Sequence, residues 1–278
     1  MPVIAMTREM GSRGKDVAMG VAERLGLEIV HHEIEEQTDA RKMRLTEGSV
    51  HRFLEGEASL WERWKIDGHR LSRYTTEEIL EIAWGGNVII RGWGAAQLLA
   101  SVPHVVRVRV CAPRSARVAE MVRRLDDVSS DAARDEIERS DAAHDRIIRN
   151  HFEIDWRDPA AYAMTLNTQA VPIDVCVDCI CQLAAAPICA ETPESVGALS
   201  DTLVTERVRT AIEERGKLGP LNSSLEIVTR GGEVTLKCVV SVSTDVDALI
   251  DMVRAVKGVK SIKNEIKSMP HTYATFGA

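Results

Sequence analysis

The sequence predicts an α/β protein, a parallel sheet covered by helices on both faces, followed by a small α+β domain. Three observations predict it. Short apolar runs alternate with helical stretches from the amino terminus onward. A stretch of Pro, Gly and small or polar residues, QLAAAPICAETPESVGALS, interrupts that pattern at 182–200. Beyond it the chain reads helix–strand–strand–helix–strand. Strand–helix alternation implies parallel crossovers and a sheet buried on both sides, whereas a hairpin with two helices makes a separate two-layer domain.

Taken in order, Val3–Met6, Leu27–Val30, Asn87–Ile90, Val105–Cys111 and Ala163–Leu166 are short and apolar, as buried strands are. Between them Lys15–Leu25, Thr75–Trp84, Ala95–Ala100, Ser115–Leu125 and Asp131–Phe152 space their apolar residues as helices do. Asp131–Phe152 is the most charged, with Arg134, Arg139, Arg146 and Arg149 among Asp131, Asp135, Asp141 and Asp145, and reads as a solvated helical arm. In the second domain Leu203–Glu214 is amphipathic, and Leu225–Thr229 and Val234–Val242 flank the turn Arg230-Gly231-Gly232-Glu233. Val246–Val256 is helical, and Val259–Ile266 alternates as a half-buried strand does. The expected boundaries are a core domain over 1–185, a linker over 186–197, a second domain over 198–270 and a loosely ordered tail over 271–278.

Composition narrows the function classes. The 278 residues are 45% hydrophobic and only 4% aromatic, so the core is built from Ala, Val, Leu and Ile. No run of 18 apolar residues occurs, so no transmembrane segment is expected. The opening MPVIAMTREMGSRGK lacks the layout of a secretory signal, and six cysteines in a chain this long are no disulfide scaffold. Both point to a cytoplasmic protein. A formal net charge of −7 argues against nucleic acid as a partner.

The strongest chemical signal is Thr7-Arg8-Glu9-Met10-Gly11-Ser12-Arg13-Gly14-Lys15-Asp16, between the first strand and the first helix. A glycine-containing loop, a lysine and a helix amino terminus together suit phosphate, because backbone N–H groups and the helix dipole point at the anion. The P-loop pattern G-x-x-x-x-G-K-[ST] is not fully met. Glu9 stands at its first glycine and Asp16 at its magnesium-binding hydroxyl. An ordinary βα turn is the competing reading of the loop alone.

The wider sequence resembles the cytidylate kinase-like family. Residues 3–26, VIAMTREMGSRGKDVAMGVAERLG, are similar to that family's degenerate loop of the form SREFGSGGREIA. The resemblance continues through Asn87–Leu99, Val105–Pro113, Ile137-Glu138-Arg139-Ser140-Asp141 and Tyr162–Thr168. It implies a nucleoside monophosphate kinase-like core with a mobile arginine-bearing lid, using ATP and Mg²⁺ and accepting CMP, dCMP or a similar nucleoside monophosphate. On that resemblance Gly11, Ser12, Arg13 and Gly14 cradle the donor phosphates, with Lys15 as the mobile cation and Arg124 against the donor base. Arg139 and Arg146 close from the arm, and Arg91 faces the acceptor phosphate, with His31 and Asp141 as further substrate contacts. Asp16 would bind through Mg²⁺, since a carboxylate beside phosphate is otherwise repelled. The lid pattern D-x-x-R-x-x-Y is altered, with His144 in place of Arg and Ile147 in place of Tyr. These departures favour a second reading, a catalytically degenerate nucleotide sensor or assembly protein; Lys15 and the extent of the resemblance favour the enzyme.

Residues 198–268 resemble a BON domain, carried by Val208–Ile212, Gly231–Leu236 and the segment Val256–Asn264 with its Gly258-Val259 turn. Cys238 departs from it, standing where a glycine is usual. The resemblance implies a non-catalytic regulatory or binding unit. Arg254, Lys257, Lys260, Lys263 and Lys267 make a basic cluster, either a solvated face or a site for an anionic ligand, a protein partner or a membrane surface with salt-sensitive binding. A homo-oligomer is compatible with such a unit. Elsewhere, Cys176, Cys179 and Cys181 provide one C-x-x-C within an apolar helical run, which suits core packing better than a metal. His31-His32-Glu33 reads as a solvated loop bordering the acceptor side, Trp61 and Trp64 as packing residues one helical turn apart, and Gly92-Trp93-Gly94 as a tight turn or a close approach to ligand.

Overall fold

Strand β1 (Val3–Arg8) lies at the centre of a five-stranded sheet of order β2-β3-β1-β4-β5. Its companions are β2 (Glu28–His31), β3 (Val88–Arg91), β4 (Val105–Cys111) and β5 (Met164–Asn167), and every pairing is parallel. The computed structural model describes residues 1–31, 68–92, 94–124, 129–214, 225–241 and 245–269. His32, Glu33, Trp61, Trp64, Trp93 and the tail 271–278 lie outside the described residues, as does the His31 side chain.

The helices of this sheet are α1 (Gly14–Leu25), α2 (Gly68–Gly85), α3 (Ala95–Leu98), α4 (Arg114–Arg124), the arm α5 (Ser130–Phe152) and α6 (Ile173–Ala184). Helix α1 is stopped by Gly26 at φ 67, a left-handed position that glycine takes without a Cβ penalty. Val17, Ala18 and Val21 of α1 meet Ile4, Met6 and Val108 of the sheet and Cys176, Val177 and Ile180 of α6 in one buried cluster. Cys176 is fully buried there, and among the described residues no group of three His, Cys, Asp or Glu could hold a metal ion. In this part of the chain the expected strands and helices are all present with ends shifted by one or two residues, except that α2 begins at Gly68 rather than Thr75.

The chain divides into two compact units, Met1–Ser195 and Val196–Ala278. The segment expected as linker holds a 3-10 turn, Pro187–Cys189, and the start of α7 (Pro193–Glu214). That helix begins at Pro193 rather than Leu203 because a reciprocal cap forms. Thr192 N–H donates to Ser195 Oγ at 3.0 Å and Ser195 N–H to Thr192 Oγ1 at 3.1 Å.

In the second unit β6 (Glu226–Arg230) and β7 (Glu233–Lys237) form a hairpin, and β9 (Ser261–Asn264) runs parallel to β7. Gly231 and Gly232 turn the hairpin at φ 60 and 86, and their N–H groups both donate to Asp201 of α7. Helix α8 (Val246–Arg254) supplies Leu249 and Val253 to a core with Val204, Val208, Val234 and Leu236. The single strands expected over Val234–Val242 and Val259–Ile266 are each broken. Asn264 Oδ1 accepts the Ile266 N–H in an Asx turn, and β8 (Val239–Ser241) pairs with β10 (Lys267–Met269) as a separate ladder past the kink at Cys238.

Candidate functional site

The loop between β1 and α1 lies at the carboxyl ends of the strands, where β1 stands between β3 and β4. From β1 the chain passes to β2 on the β3 side, and from β3 it crosses to β4 on the other side of β1, a reversal that opens a crevice in parallel α/β sheets. Its backbone is held in a form that only this sequence arrangement allows. Gly11 has φ 76, and a Cβ there would stand 2.7 Å from the Arg117 carbonyl oxygen. Arg13, the residue before α1, is left-handed at φ 59. Thr168, just after β5, donates its hydroxyl proton to the Ser12 carbonyl at 2.7 Å.

Glu9, where a P-loop has glycine, anchors the loop. Its carboxylate meets Arg109 of β4 at 2.5 Å and Arg117 of α4 at 3.5 Å, and accepts the Ala112 N–H at 3.1 Å. Arg117 in turn grips Asp141 of α5 with two hydrogen bonds, 3.0 and 2.8 Å. Glu9, Arg109 and Arg117 are each no more than 7% exposed. A buried charge persists only when paired and hydrogen-bonded, so this network fixes loop, β4 and α4 relative to one another and ties the arm to them at Asp141. The sequence carried one signal of it, Arg109 in a strand that is apolar apart from Arg107.

Two cavities flank the loop. The outer one, about 250 Å³ and open to solvent, is lined by Gly11, Arg13, Gly14, Lys15, Met121 and Arg124, together with Arg8 and Met10. Asp16 beside it accepts from Arg13 Nε at 2.9 Å and from Arg124 Nη2 at 2.9 and 3.0 Å. Arg124 also pairs with Glu120, whose carboxyl the Arg123 hydrogen bond, aided by Arg124, holds down at about 2. The inner cavity is lined by Thr7, Arg8, Met10, Arg91, Gly92, Gly94, Ser140, His144, Ile148 and Trp156. His144 stacks against Trp156 with ring centres 5.2 Å apart, and Arg109 and Arg157 lie over the same indole at 5.5 and 5.1 Å. Burial, and after it the charge of Arg8, lowers the His144 imidazole to about 4.

The structure thus brings Gly11, Arg13, Gly14, Lys15 and Arg124 to one cavity and Arg91 to the other. Ser12 is buried, with its carbonyl held by Thr168. His31 ends β2 in register with Arg91. Asp141 lies in the buried network, and Arg139 is exposed on the arm and paired with Glu136. Arg146 is likewise exposed. Sequence reasoning named Glu9 only as a departure from the P-loop pattern, and assigned no role to Arg8, Arg109, Arg117 or Trp156.

A loop of left-handed residues ending at a helix amino terminus, with Arg13, Lys15 and Arg124 around it, fits a polyphosphate. The carboxylate of Asp16 does not fit as a metal ligand while two guanidinium groups hold it. In the second unit the basic cluster is partly satisfied within itself. Arg254 pairs with Asp251 and Lys263 with Glu265, each at 2.7 Å, while Lys260 donates to the Gly231 carbonyl. Among the described residues no single helix is long and apolar enough to cross a membrane.

Comparison with known proteins agrees with this architecture. A family model described as the cytidylate kinase-like family matches residues 3–170, and one described as a BON domain matches residues 200–270. No curated protein matches the chain. Among solved structures it is similar to an uncharacterized protein from Eubacterium ventriosum ATCC 27560, with 16% identity and a TM-score of 0.53 over 67% of this chain and 99% of that one. That likeness is one of fold. It is also similar to TT1252 from Thermus thermophilus (15% identity, TM-score 0.43, 66% and 96% covered). Shikimate kinase from Acinetobacter baumannii in complex with shikimate gives 17% identity and a TM-score of 0.39, with 66% and 92% covered.

Proposed function

The chain belongs to the cytidylate kinase-like family and carries a BON domain, and from that premise we propose that its first unit transfers the γ-phosphate of ATP to a nucleoside monophosphate such as CMP or dCMP. The observation that carries this reading is the pair of cationic cavities meeting at one left-handed loop. Bound ATP with Mg²⁺ supplies an activated phosphoryl group. The loop N–H groups and Arg13 receive its phosphates, Lys15 approaches from the first turn of α1, and Arg124 closes the outer rim. Arg91 receives the acceptor phosphate in the inner cavity. Phosphoryl transfer needs positioning and positive charge more than covalent help from the protein, and arginine supplies both through its planar fork. Arg139 and Arg146 lie on the arm, exposed to solvent, where a closing movement can bring them to the transferring group. The BON unit acts as a regulatory module in the same cytoplasmic protein.

A second reading is a nucleotide sensor without turnover. One observation favours it: Asp16 is already neutralised by Arg13 and Arg124, and a neutral His144 occupies the arm position of an arginine. A coupled assay with ATP and Mg²⁺ against a panel of nucleoside monophosphates separates the two. Turnover on one acceptor that is lost in a Lys15→Ala, Arg124→Ala double variant supports the enzyme. No turnover, with an ATP-dependent rise in melting temperature that the double variant lacks, supports the sensor. Neither turnover nor an ATP-dependent shift overturns both.

A further inference from the structure

Arg8 ends β1, and it was singled out neither by the glycine pattern nor by the altered arm. Two observations draw attention to it. It lines both cavities, and only Met10 shares that position among the residues lining them. It also fills the space that a side chain at position 14 would need. An ideal Cβ on Gly14 would stand 2.8 Å from Arg8 Cβ and 3.4 Å from Arg8 Cδ. Gly14 is the last residue of the loop proper and the first of α1, so the glycine there leaves room for the arginine stem at the mouth of the loop.

We propose that Arg8 is the cation at the junction of the two cavities, contacting the terminal phosphate of a polyphosphate in the outer one and facing the acceptor's anion in the inner one. The inference rests on the phosphotransfer reading above and assigns to β1 the contact that a lysine on the helix usually makes. Lys15 stands at the exposed rim, whereas Arg8 is half-buried between the cavities, where a charge acts through less water. Arg8 and the half-buried His144 line the same inner cavity, and the charge of Arg8 adds to burial in holding the imidazole low. A guanidinium can hold two oxygens at once, so one side chain can touch a phosphoryl group on either side of its transfer.

The test is calorimetric titration of the full chain with inorganic tripolyphosphate and with ATP. These probes require no knowledge of the acceptor. Arg8→Met keeps the aliphatic stem against Gly14 and removes the charge; Arg8→Lys keeps the charge. Gly14→Ala displaces the stem, and circular dichroism reports whether the variant keeps its fold. Arg8→Met is expected to weaken both ligands about tenfold or more, the range of a charge-assisted contact. Arg8→Lys is expected to recover most of that loss, and Lys15→Ala to lose less than Arg8→Met. Binding by Arg8→Met within about twofold of the parent, or a larger loss in Lys15→Ala, overturns the assignment while leaving phosphotransfer standing. A parent protein that binds neither probe overturns both.

Discussion

The same residue types make two very different structures within the first unit. Around Glu9, three buried charges and Asp141 join residues far apart in the chain; Glu9 and Arg109 are separated by 100 positions. Along the arm, Arg134 pairs with Asp131, Arg139 with Glu136 and Arg149 with Asp145, all three or four positions apart and open to solvent. The buried set ties separate elements together, and its charges depend on one another for any partner at all. The exposed set neutralises charge within the arm itself. Attraction between exposed pairs is worth about 0–1 kcal/mol, whereas removing one partner of a buried pair strands the other.

The largest expected effect follows from that difference. Glu9→Gln leaves Arg109 buried without its carboxylate, and the first unit is expected to lose about 3–5 kcal/mol in denaturant unfolding. A loss under about 1 kcal/mol would mean that the network is no more than a surface-like pairing. Gly11→Ala attacks the same region through the backbone. It demands a Cβ 2.7 Å from the Arg117 carbonyl at a left-handed φ, so both a fall in melting temperature and loss of polyphosphate binding are expected. The second unit offers a control without any charge. Gly258 has φ 102, and a Cβ there would stand 2.5 Å from Val204 Cγ2, so Gly258→Ala is expected to destabilise that unit by about 1–3 kcal/mol while leaving ATP binding intact.

The comparison also explains what could be read from the sequence. Strand and helix positions, the loop and the two domains rest on local period and local composition, and these were legible. Arg13 and Lys15 stood out on a recognisable loop and Arg124 through the family resemblance, and the structure gathers the three at one cavity. Arg109 and Arg117 did not stand out, since nothing local names their partners; only the fold brings β4 and α4 to Glu9. Arg8 was hidden for a related reason. Its significance depends on the missing side chain of Gly14, six positions on. The start of α7 was overlooked although Thr192-Pro193-Glu194-Ser195 is a cap with proline at the first helical position, because the proline was read as a chain break. The break between β9 and β10 coincides with the Asx turn of Asn264, which strand-by-strand alternation does not show.

His144 lies between the two regimes, on the arm but half-buried against Trp156. Its folded imidazole titrates near 4, below the ordinary 6.5, so the native state refuses a proton that the unfolded chain accepts. The contribution of His144 to stability is therefore full above about pH 6.5 and is lost as the pH drops toward 4, by at most about 1.4 kcal/mol per pH unit for one such group. His144→Phe keeps an aromatic ring on the indole and removes the proton site. Its unfolding free energy is expected to be flatter than the parent's between pH 6.5 and 4. Parallel curves would place the imidazole in water, and with it the arm away from Trp156.

The smallest expected stability effect is the most informative about the arm. Arg139 is exposed and its only described ion pair is with Glu136 on the same helix, so Arg139→Ala is expected to change stability by less than about 0.5 kcal/mol. If the arm closes over the transferring phosphoryl group, the same substitution lowers kcat at least tenfold and leaves the Kd for ATP within about twofold, because the residue meets the ligand only in the closed state. A variant with unchanged kcat and unchanged melting temperature makes Arg139 a solvating residue, and the arm then contributes through Asp141 and His144 alone. Stability and turnover separate here because the exposed pair has little to do in the folded ground state. Around Glu9 the two cannot be separated, since the side chains that shape the loop also hold the unit together.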